Sequence, residues 1–396
     1  MSNYELLTLE QIMNDEKKAS IQINIPNEEL ERLISLLQKE VKKDIADFEL
    51  MNGICWALIQ SFPSIVHIYK DTFILRARPN FNDEIFDTSS QLSYNKTHPD
   101  LITLNRFNLD KEAVFYGAAP INSDKANGAL TTIIESFKKL VDNKNDEPKQ
   151  ILTLGKWMVK KPIHLFMLTF NTEAWEKSIH VQNVNHAYVD FIEKCQTNED
   201  RKKLVFFYTY FSECAGKKND SQNNYLLTTA FFHALQEFYG HEIGIIYSSS
   251  MTDNYGLSMV LPKEILDANY LELHDVVMYK CLRNPQKRQQ FKIYPFKVGF
   301  NKGDKFDFNN YVDSDIKTQY FSLIECEKII SKYEAEIKGR NLFIDNKSTI
   351  IVSLKKVLQT SGYEIIVVTD CGIEERIEKV LGLLYVQDDE YFDKFL

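Results

Sequence analysis

The 396-residue sequence has few cysteines, and none of the six lies within four residues of another. A zinc site or redox pair built on a Cys-x-x-Cys unit is therefore excluded. The eight histidines show no His-Glu-x-x-His pattern and no other zinc-ligand spacing, so the sequence predicts no metal site. Scattered cysteines of this kind are typical of buried thiols in a reducing compartment, which favours the cytoplasm.

Long apolar runs and glycine-rich phosphate loops are also missing from the sequence. No stretch approaches the roughly 18 apolar residues of a membrane span. Charged residues interrupt the first thirty positions, which excludes a signal peptide. Neither Gly-x-Gly-x-x-Gly nor the Gly-Lys-Ser/Thr of a P-loop occurs, so Rossmann binding of a redox cofactor is not indicated. We therefore expect a cytoplasmic protein with no membrane partner.

Cationic surface is scarce as well, because the net charge is −9 at pH 7. The basic clusters Lys160-Lys161 and Arg201–Lys203 are short and typical of solvated surface. This balance argues against nucleic acid as a partner, but it leaves room for a local cationic pocket for a small anionic ligand. The 26 Phe and 20 Tyr residues provide for large cores and aromatic-lined pockets.

The pattern of apolar residues predicts an α+β fold in three regions. Residues 1–62 are expected to form a helical N-terminal region, and residues 63–300 a mixed β core with a helical insertion at about 172–240. Residues 301–396 are expected to form a small α/β C-terminal region.

Individual elements follow from local periodicity. Residues 27–58 are predicted to be helical, with Asn27 as N-cap and with an apolar stripe that packs on the rest of the chain or, as the less common alternative, on a partner. The stripe consists of Leu30, Ile34, Leu37, Val41 and Ile45. Residues 65–69 and 73–78 are predicted to pair as a hairpin across Lys70-Asp71. Further predictions are helices at 124–141, 322–338 and 374–384, a strand at 363–369, and a helix end at Gly240.

Three arginines and a tyrosine indicate a site for a phosphate-bearing planar ligand. Arg76 and Arg78 occupy alternate positions of one predicted strand, so their side chains leave the same face. Arg106 stands just before a second strand that carries Tyr116. Guanidinium groups offer a donor fork to phosphate oxygens, and the ring offers a stacking surface. From spacing alone, surface ion pairs and a half-buried tyrosine are the more common interpretation.

Glu135 and a run of three serines are uninformative when each is taken alone. Glu135 lies on the side of its predicted helix opposite Ile133 and Phe137, where a glutamate usually faces solvent. Ser248, Ser249 and Ser250 follow a predicted strand and precede a turn, as serines in loops commonly do.

The order of these residues, however, resembles the RES (Arg-Glu-Ser) domain of NAD-consuming bacterial toxins. Arg106-Phe107-Asn108 resembles its arginine–aromatic–asparagine piece, and Tyr116-Gly117-Ala118 its tyrosine-bearing strand. Glu135 resembles its helix glutamate, and residues 244–249 its Gly-x-x-Tyr-x-Ser segment. The string LRARP at 75–79 is similar to the strand that opens the domain. The resemblance covers about residues 73–262.

This resemblance implies an ADP-ribosyltransferase-like fold that cleaves the nicotinamide–ribose bond of NAD, which is the substrate and not a cofactor. Glu135 would stabilise an oxocarbenium-like transition state. Arg106, with one of Arg76 or Arg78, would hold the pyrophosphate, and Tyr116 would wall in the nicotinamide end.

A serine completes the implied site. Ser249 would position the ribose or the nicotinamide amide, and Ser248 and Ser250 are the rival choices for that role.

We therefore expect an NAD glycohydrolase or NAD phosphorylase that acts as a toxin or defence effector. A separate antitoxin or immunity protein would restrain it, and a homo-oligomeric state is left open. One alternative is a mono-ADP-ribosyltransferase that modifies a macromolecule. The other is a non-catalytic binding protein that retains the fold.

Overall fold

The computed structural model describes residues 21–70, 72–80, 84–120, 132, 149–178, 181, 185, 188–189, 191–217, 221–252, 254–283, 291–302, 305–310, 318–322, 364–368 and 374–377. The chain divides into two compact units. The first comprises Met1–Cys281 and Gly299–Phe308, and the second Leu282–Val298 and Asn309–Leu396. Within the described residues, helices and a ten-stranded mixed sheet occur together, which confirms the α+β class.

The described α-helices all belong to the first unit. They are α1 (Asn27–Val41), α2 (Phe48–Ser61), α3 (Ser89–Leu92), α4 (Thr172–Lys177), α5 (Asn198–Gly216), α6 (Gln222–Tyr239) and α7 (Lys263–Asp267). The helical character predicted for 172–240 is confirmed by α4, α5 and α6. Gly240 ends α6 with a φ of 92°, a left-handed conformation that glycine adopts readily.

The ten strands of the large sheet are β1 (Val66–Tyr69), β2 (Phe73–Asn80), β3 (Val114–Ala118), β4 (Lys149–Val159), β5 (Ile163–Leu168), β6 (Ile243–Ser248), β7 (Leu257–Pro262), β8 (Leu271–Arg283), β9 (Phe291–Lys302) and β10 (Lys305–Asn310). Their order is β1-β5-β6-β7-β3-β2-β4-β8-β9-β10. β5 and β6 are parallel. Parallel neighbours require a long crossover connection, and the segment that carries α4, α5 and α6 supplies it.

The predicted hairpin between β1 and β2 is wrong. β1 pairs antiparallel with β5, and β2 lies between β3 and β4. The register of β2 with β4 runs over eight residue pairs, from Phe73↔Met158 to Asn80↔Ile151, whereas β1 has only four residues. The longer ladder satisfies more backbone groups of β2, so adjacency along the chain does not decide the pairing.

The single helix predicted over 27–58 is in fact two helices. The carboxylate of Asp47 accepts a hydrogen bond from Leu50 N at 3.1 Å and so caps α2. Ile45 lies in the link between the helices with 87% of its surface exposed, so it does not belong to the apolar stripe. Pro26, rather than Asn27, occupies the N-cap position of α1.

The prediction that the N-terminal helices pack inside the molecule is confirmed. Leu30, Leu33, Ile34 and Leu37 of α1 are buried. α2 packs mainly against α6, where its apolar face is covered.

The second unit contains a three-stranded sheet formed by β11 (Thr318–Ser322), β12 (Glu364–Val368) and β13 (Glu374–Ile377). The strand predicted near 363–369 is confirmed. The helix predicted from 374 is wrong over Glu374–Ile377, because these residues pair antiparallel with Ile365–Val368. The helices predicted at 124–141 and 322–338 lie outside the described residues, except for Thr132 and Ser322.

Candidate functional site

Arg106 lies in a tight turn before β3 and contacts the end of α5. Its guanidinium donates to the carbonyls of Cys214 at 3.4 Å, Ala215, and Lys217 at 3.0 Å. These carbonyls belong to the last turn of the helix and the residue after it, where the helix dipole favours a cation. Its side chain is nearly buried, with 8% exposed. One terminal nitrogen also donates to Ser250 Oγ at 3.0 Å.

Tyr116 on β3 fixes the shape of the turn that carries Arg106. Its hydroxyl accepts a hydrogen bond from Phe107 N at 2.8 Å and donates to Asn108 Oδ1 at 3.0 Å. The Phe107 ring is fully buried and lies 5.0 Å from the Tyr247 ring, centroid to centroid. The Tyr116 hydroxyl on β3 and the Tyr247 ring on β6 therefore both hold this turn against the sheet.

Arg76 and Arg78 leave the same face of β2, as predicted, and contact the backbone around α3. Arg76 donates to Leu92 O at 3.1 Å and to Tyr116 O at 2.7 Å. Arg78 donates to Gln91 O. Burial, followed by the nearby charge of Arg78, lowers the pKa of Arg76 to about 10, so Arg76 remains charged at neutral pH.

The three serines are all buried but have different surroundings. Ser250 Oγ accepts the hydrogen bond from Arg106. The backbone of Ser249 closes the following turn, since its N–H donates to Gly256 O at 2.9 Å and its carbonyl accepts from Asn254 N at 2.8 Å. Ser248 Oγ has no hydrogen-bond partner among the described residues.

Gly216, at the end of α5, lies where several polar groups converge. A Cβ at this position would lie 2.7 Å from Ser248 Oγ and 2.9 Å from Asn171 Nδ2. Both distances are shorter than a normal van der Waals contact, so only glycine fits without a shift of its neighbours.

Two threonines that the sequence analysis did not select also position Arg106. Thr228 Oγ1, on α6, donates to Arg106 O, and Thr229 Oγ1 donates to Asn105 O at 3.4 Å. Both side chains are buried in an otherwise apolar stretch of helix. The sequence contained a signal for this role, because two adjacent threonines interrupt an apolar helix. Buried hydroxyl groups need hydrogen-bond partners, so such a pair indicates contacts with a neighbouring segment.

The structure therefore connects four of the predicted residues by hydrogen bonds. Arg76 contacts the backbone of Tyr116, the Tyr116 hydroxyl holds the residues that follow Arg106, and Arg106 contacts Ser250. The remaining described members are neighbours of these four, with Arg78 beside Arg76 on β2 and Ser248 and Ser249 directly before Ser250. Glu135 lies outside the described residues.

A cavity of about 1080 Å³ opens on the helical side of the Arg106–Ser250 contact. It lies among the ends of α1 and α5, the beginnings of α4 and α6, and the turn after β6. The described residues that line it are Gln38, Val41, Lys42, Asn171, Thr172, Tyr210, Glu213, Cys214, Gly216, Lys217, Asn224, Leu227, Ser250 and Asn254. Of the predicted site residues, only Ser250 is in this set.

Metal-binding clusters and membrane-spanning helices are absent from the part of the chain that the structure describes. No group of three or more His, Cys, Asp or Glu side chains there could hold a metal ion. No helix in that part is long and apolar enough to cross a membrane. In comparisons with known proteins, no family model and no curated protein matches this sequence.

Proposed function

We propose that this protein degrades NAD, as a glycohydrolase or phosphorylase of the RES type with an ADP-ribosyltransferase-like fold. One observation carries the proposal. The hydrogen bonds run from Arg76 through Tyr116 and the Arg106 turn to Ser250. They connect Arg106 and Tyr116, which the resemblance selects by order, to Ser250, a rival choice that directly follows the expected Ser249. Arg106 and Ser250 are 144 positions apart in the chain, so local sequence does not bring them together.

The reaction breaks the bond between nicotinamide and ribose through a state with positive charge on the sugar. In this proposal Glu135 stabilises that charge. Tyr116 borders the nicotinamide end, and one of Ser248, Ser249 or Ser250 contacts the ribose or the amide. Water as nucleophile makes the protein a glycohydrolase, and phosphate makes it a phosphorylase.

The contacts of Arg106 refine the role proposed for it. Both terminal nitrogens already donate to carbonyls at the end of α5, and one also donates to Ser250. A pyrophosphate bound by Arg106 must therefore replace some of these carbonyls. A charged acceptor forms the stronger bond, which favours the exchange. Before substrate binds, Arg106 positions the serine segment.

A protein that consumes NAD harms the cell that makes it. We therefore propose that this chain is a toxin or defence effector and that a separate antitoxin or immunity protein restrains it in the cytoplasm.

The test is to incubate the purified full chain with NAD, with and without phosphate, and to follow the release of nicotinamide. We expect release by the wild type and a loss of at least about 100-fold in Arg106→Ala and Glu135→Ala. Arg32→Ala is the matched control, because Arg32 is an exposed arginine paired only with the neighbouring Glu29 among the described residues. If wild type leaves NAD intact in both conditions, the enzyme proposal is overturned.

The fate of the ADP-ribose group separates the remaining functions. Free ADP-ribose or its 1″-phosphate supports NAD degradation. Label from NAD on a macromolecule instead indicates a mono-ADP-ribosyltransferase. Binding of NAD without release of nicotinamide indicates a non-catalytic binding protein that retains the fold.

A further inference from the structure

The cavity beside Ser250 has an apolar wall, a cationic wall and a polar floor. Val41 and Tyr210 provide apolar and aromatic surface. Lys42 and Lys217 provide cations from two different helix ends. A volume of about 1080 Å³ is at the upper end for small-molecule sites, and it exceeds what a free inorganic anion requires.

Positive charge predominates in the described lining. Glu213 is the one described carboxylate there and opposes Lys42 and Lys217. Burial raises the pKa of the Cys214 thiol to about 12, and burial also raises the pKa of Tyr210. Both groups are therefore neutral at physiological pH and add no negative charge. In the described part of the chain, no ion pair joins either lysine to a carboxylate.

The cavity also has a buried polar floor. Asn171, Asn224 and Ser250 line it with at most 7% of their surfaces exposed. Ser248 Oγ, which is fully buried and has no partner among the described residues, lies against the Gly216 wall. Asn171, Asn224 and Ser250 also hydrogen bond to the protein, and they present amide and hydroxyl groups to an occupant with polar atoms.

We propose that this cavity is a binding site for a nucleoside phosphate, and that it adjoins the site proposed for NAD cleavage at Ser250. The phosphates lie toward Lys42 and Lys217, the sugar toward the polar floor, and the base against Val41 and Tyr210. Arg106 contacts both Lys217 and Ser250, so the occupant touches residues that Arg106 holds. The proposal rests on the cavity and does not require NAD cleavage.

The test measures the binding of ADP to the full chain by calorimetry, in the absence of NAD. We expect the Lys42→Ala/Lys217→Ala variant to bind ADP at least about tenfold more weakly, because two charge-assisted contacts are lost. The matched control is Lys39→Ala/Lys202→Ala, since these lysines lie on the same two helices, are exposed, and do not line the cavity. Adenosine and inorganic phosphate, each alone, are expected to bind more weakly than ADP.

Three results overturn the proposal. They are no ADP binding up to about 1 mM, equal binding by the wild type and the Lys42/Lys217 variant, and an equal loss in the control variant. Nicotinamide release is measured separately. A chain that leaves NAD intact can still meet this prediction, and a chain that cleaves NAD can still fail it.

Discussion

Two serines whose side chains are wholly buried differ in what their hydroxyls contact. Ser212 Oγ accepts a hydrogen bond from Phe170 N at 3.0 Å. Ser248 Oγ has no partner among the described residues. Removal of a bonded partner leaves a buried group unsatisfied, whereas removal of an unbonded hydroxyl does not.

We therefore predict that Ser212→Ala lowers the free energy of unfolding by about 1–3 kcal/mol, and that Ser248→Ala changes it by less than about 0.5 kcal/mol. Urea denaturation of both variants checks this. Equal losses in the two variants would show that the Ser248 hydroxyl is bonded in solution.

Thr228 acts on the proposed site through the backbone of Arg106. Its hydroxyl donates to Arg106 O and lies 3.1 Å from Asn224 O. We predict that Thr228→Val, which keeps the shape but loses the hydroxyl, lowers the free energy of unfolding by about 1–2 kcal/mol. Nicotinamide release should fall in parallel, because the turn that holds Arg106 loosens.

Thr228→Ser is the control for this prediction, since it retains the hydroxyl. It should restore most of the stability and most of the activity. A valine variant as stable and as active as wild type would exclude the positioning role.

At the scale of single helices, two glycines have opposite conformational roles. Gly240 ends α6 with a φ of 92°, whereas Gly53 lies inside α2 at an exposed position. A Cβ at either position would meet no atom within 4 Å, so crowding does not distinguish them. Only the backbone conformation differs.

We predict that Gly240→Ala lowers the free energy of unfolding by about 1–2 kcal/mol, because an L side chain strains a positive φ. Gly53→Ala should raise it by about 0.5–1 kcal/mol, because alanine restricts the unfolded chain and favours the helix. Thermal unfolding measures both effects. If Gly240→Ala instead stabilises the protein, α6 does not end in a residue with positive φ.

The last turn of α5 contains a thiol that links stability to pH. Burial raises the pKa of Cys214 from 9.0 to about 12. The unfolded chain loses this proton near pH 9 while the folded chain retains it. The stabilisation is therefore complete below about pH 9 and is lost as the pH rises toward about 12.

We predict a steeper fall of stability with pH in wild type than in Cys214→Ala, by at most about 1.4 kcal/mol per pH unit. Urea denaturation at about pH 7 and about pH 10 measures the two slopes. The slope is the readout, because the alanine variant also loses packing at every pH. Parallel slopes would show that the thiol titrates normally in the folded chain.

At the scale of the whole molecule, the N-terminal helices belong to the same compact unit as the sheet strands β1 to β7. α2 covers α6, and α6 holds the Arg106 turn through its threonines. A loss of packing in α2 is therefore expected to disturb the Arg106 turn through α6.

We predict that Leu58→Ala, at a fully buried position of α2, lowers the free energy of unfolding of the whole first unit by about 2–5 kcal/mol. Leu50→Ala is the matched control on the same helix, because Leu50 is 41% exposed. Native-state hydrogen exchange checks whether amides of β6 and α6 lose protection together with those of α2. Loss confined to α2 would show that the helix unfolds independently.

Much of the fold could be predicted from local patterns. The apolar stripe of α1, the helices within 172–240 and the strand at 363–369 were predicted because periodicity reports which face of a segment is buried. The break near Ile45 could not be predicted from periodicity, because apolar residues recur at helical spacing across it. Only the Asp47 cap marks the start of the second helix. The residues 374–377 were assigned to a helix because their pairing with Ile365–Val368 is not a property of the segment itself.

The sequence by itself determined the α+β class and the internal packing of the N-terminal helices. Only the tertiary structure decided that β1 pairs with β5, and that Ser250 contacts Arg106. The physical reason is the range of each interaction. Periodicity and capping act within one or two turns of chain, whereas strand pairing and side-chain hydrogen bonds join residues that only the folded chain brings together.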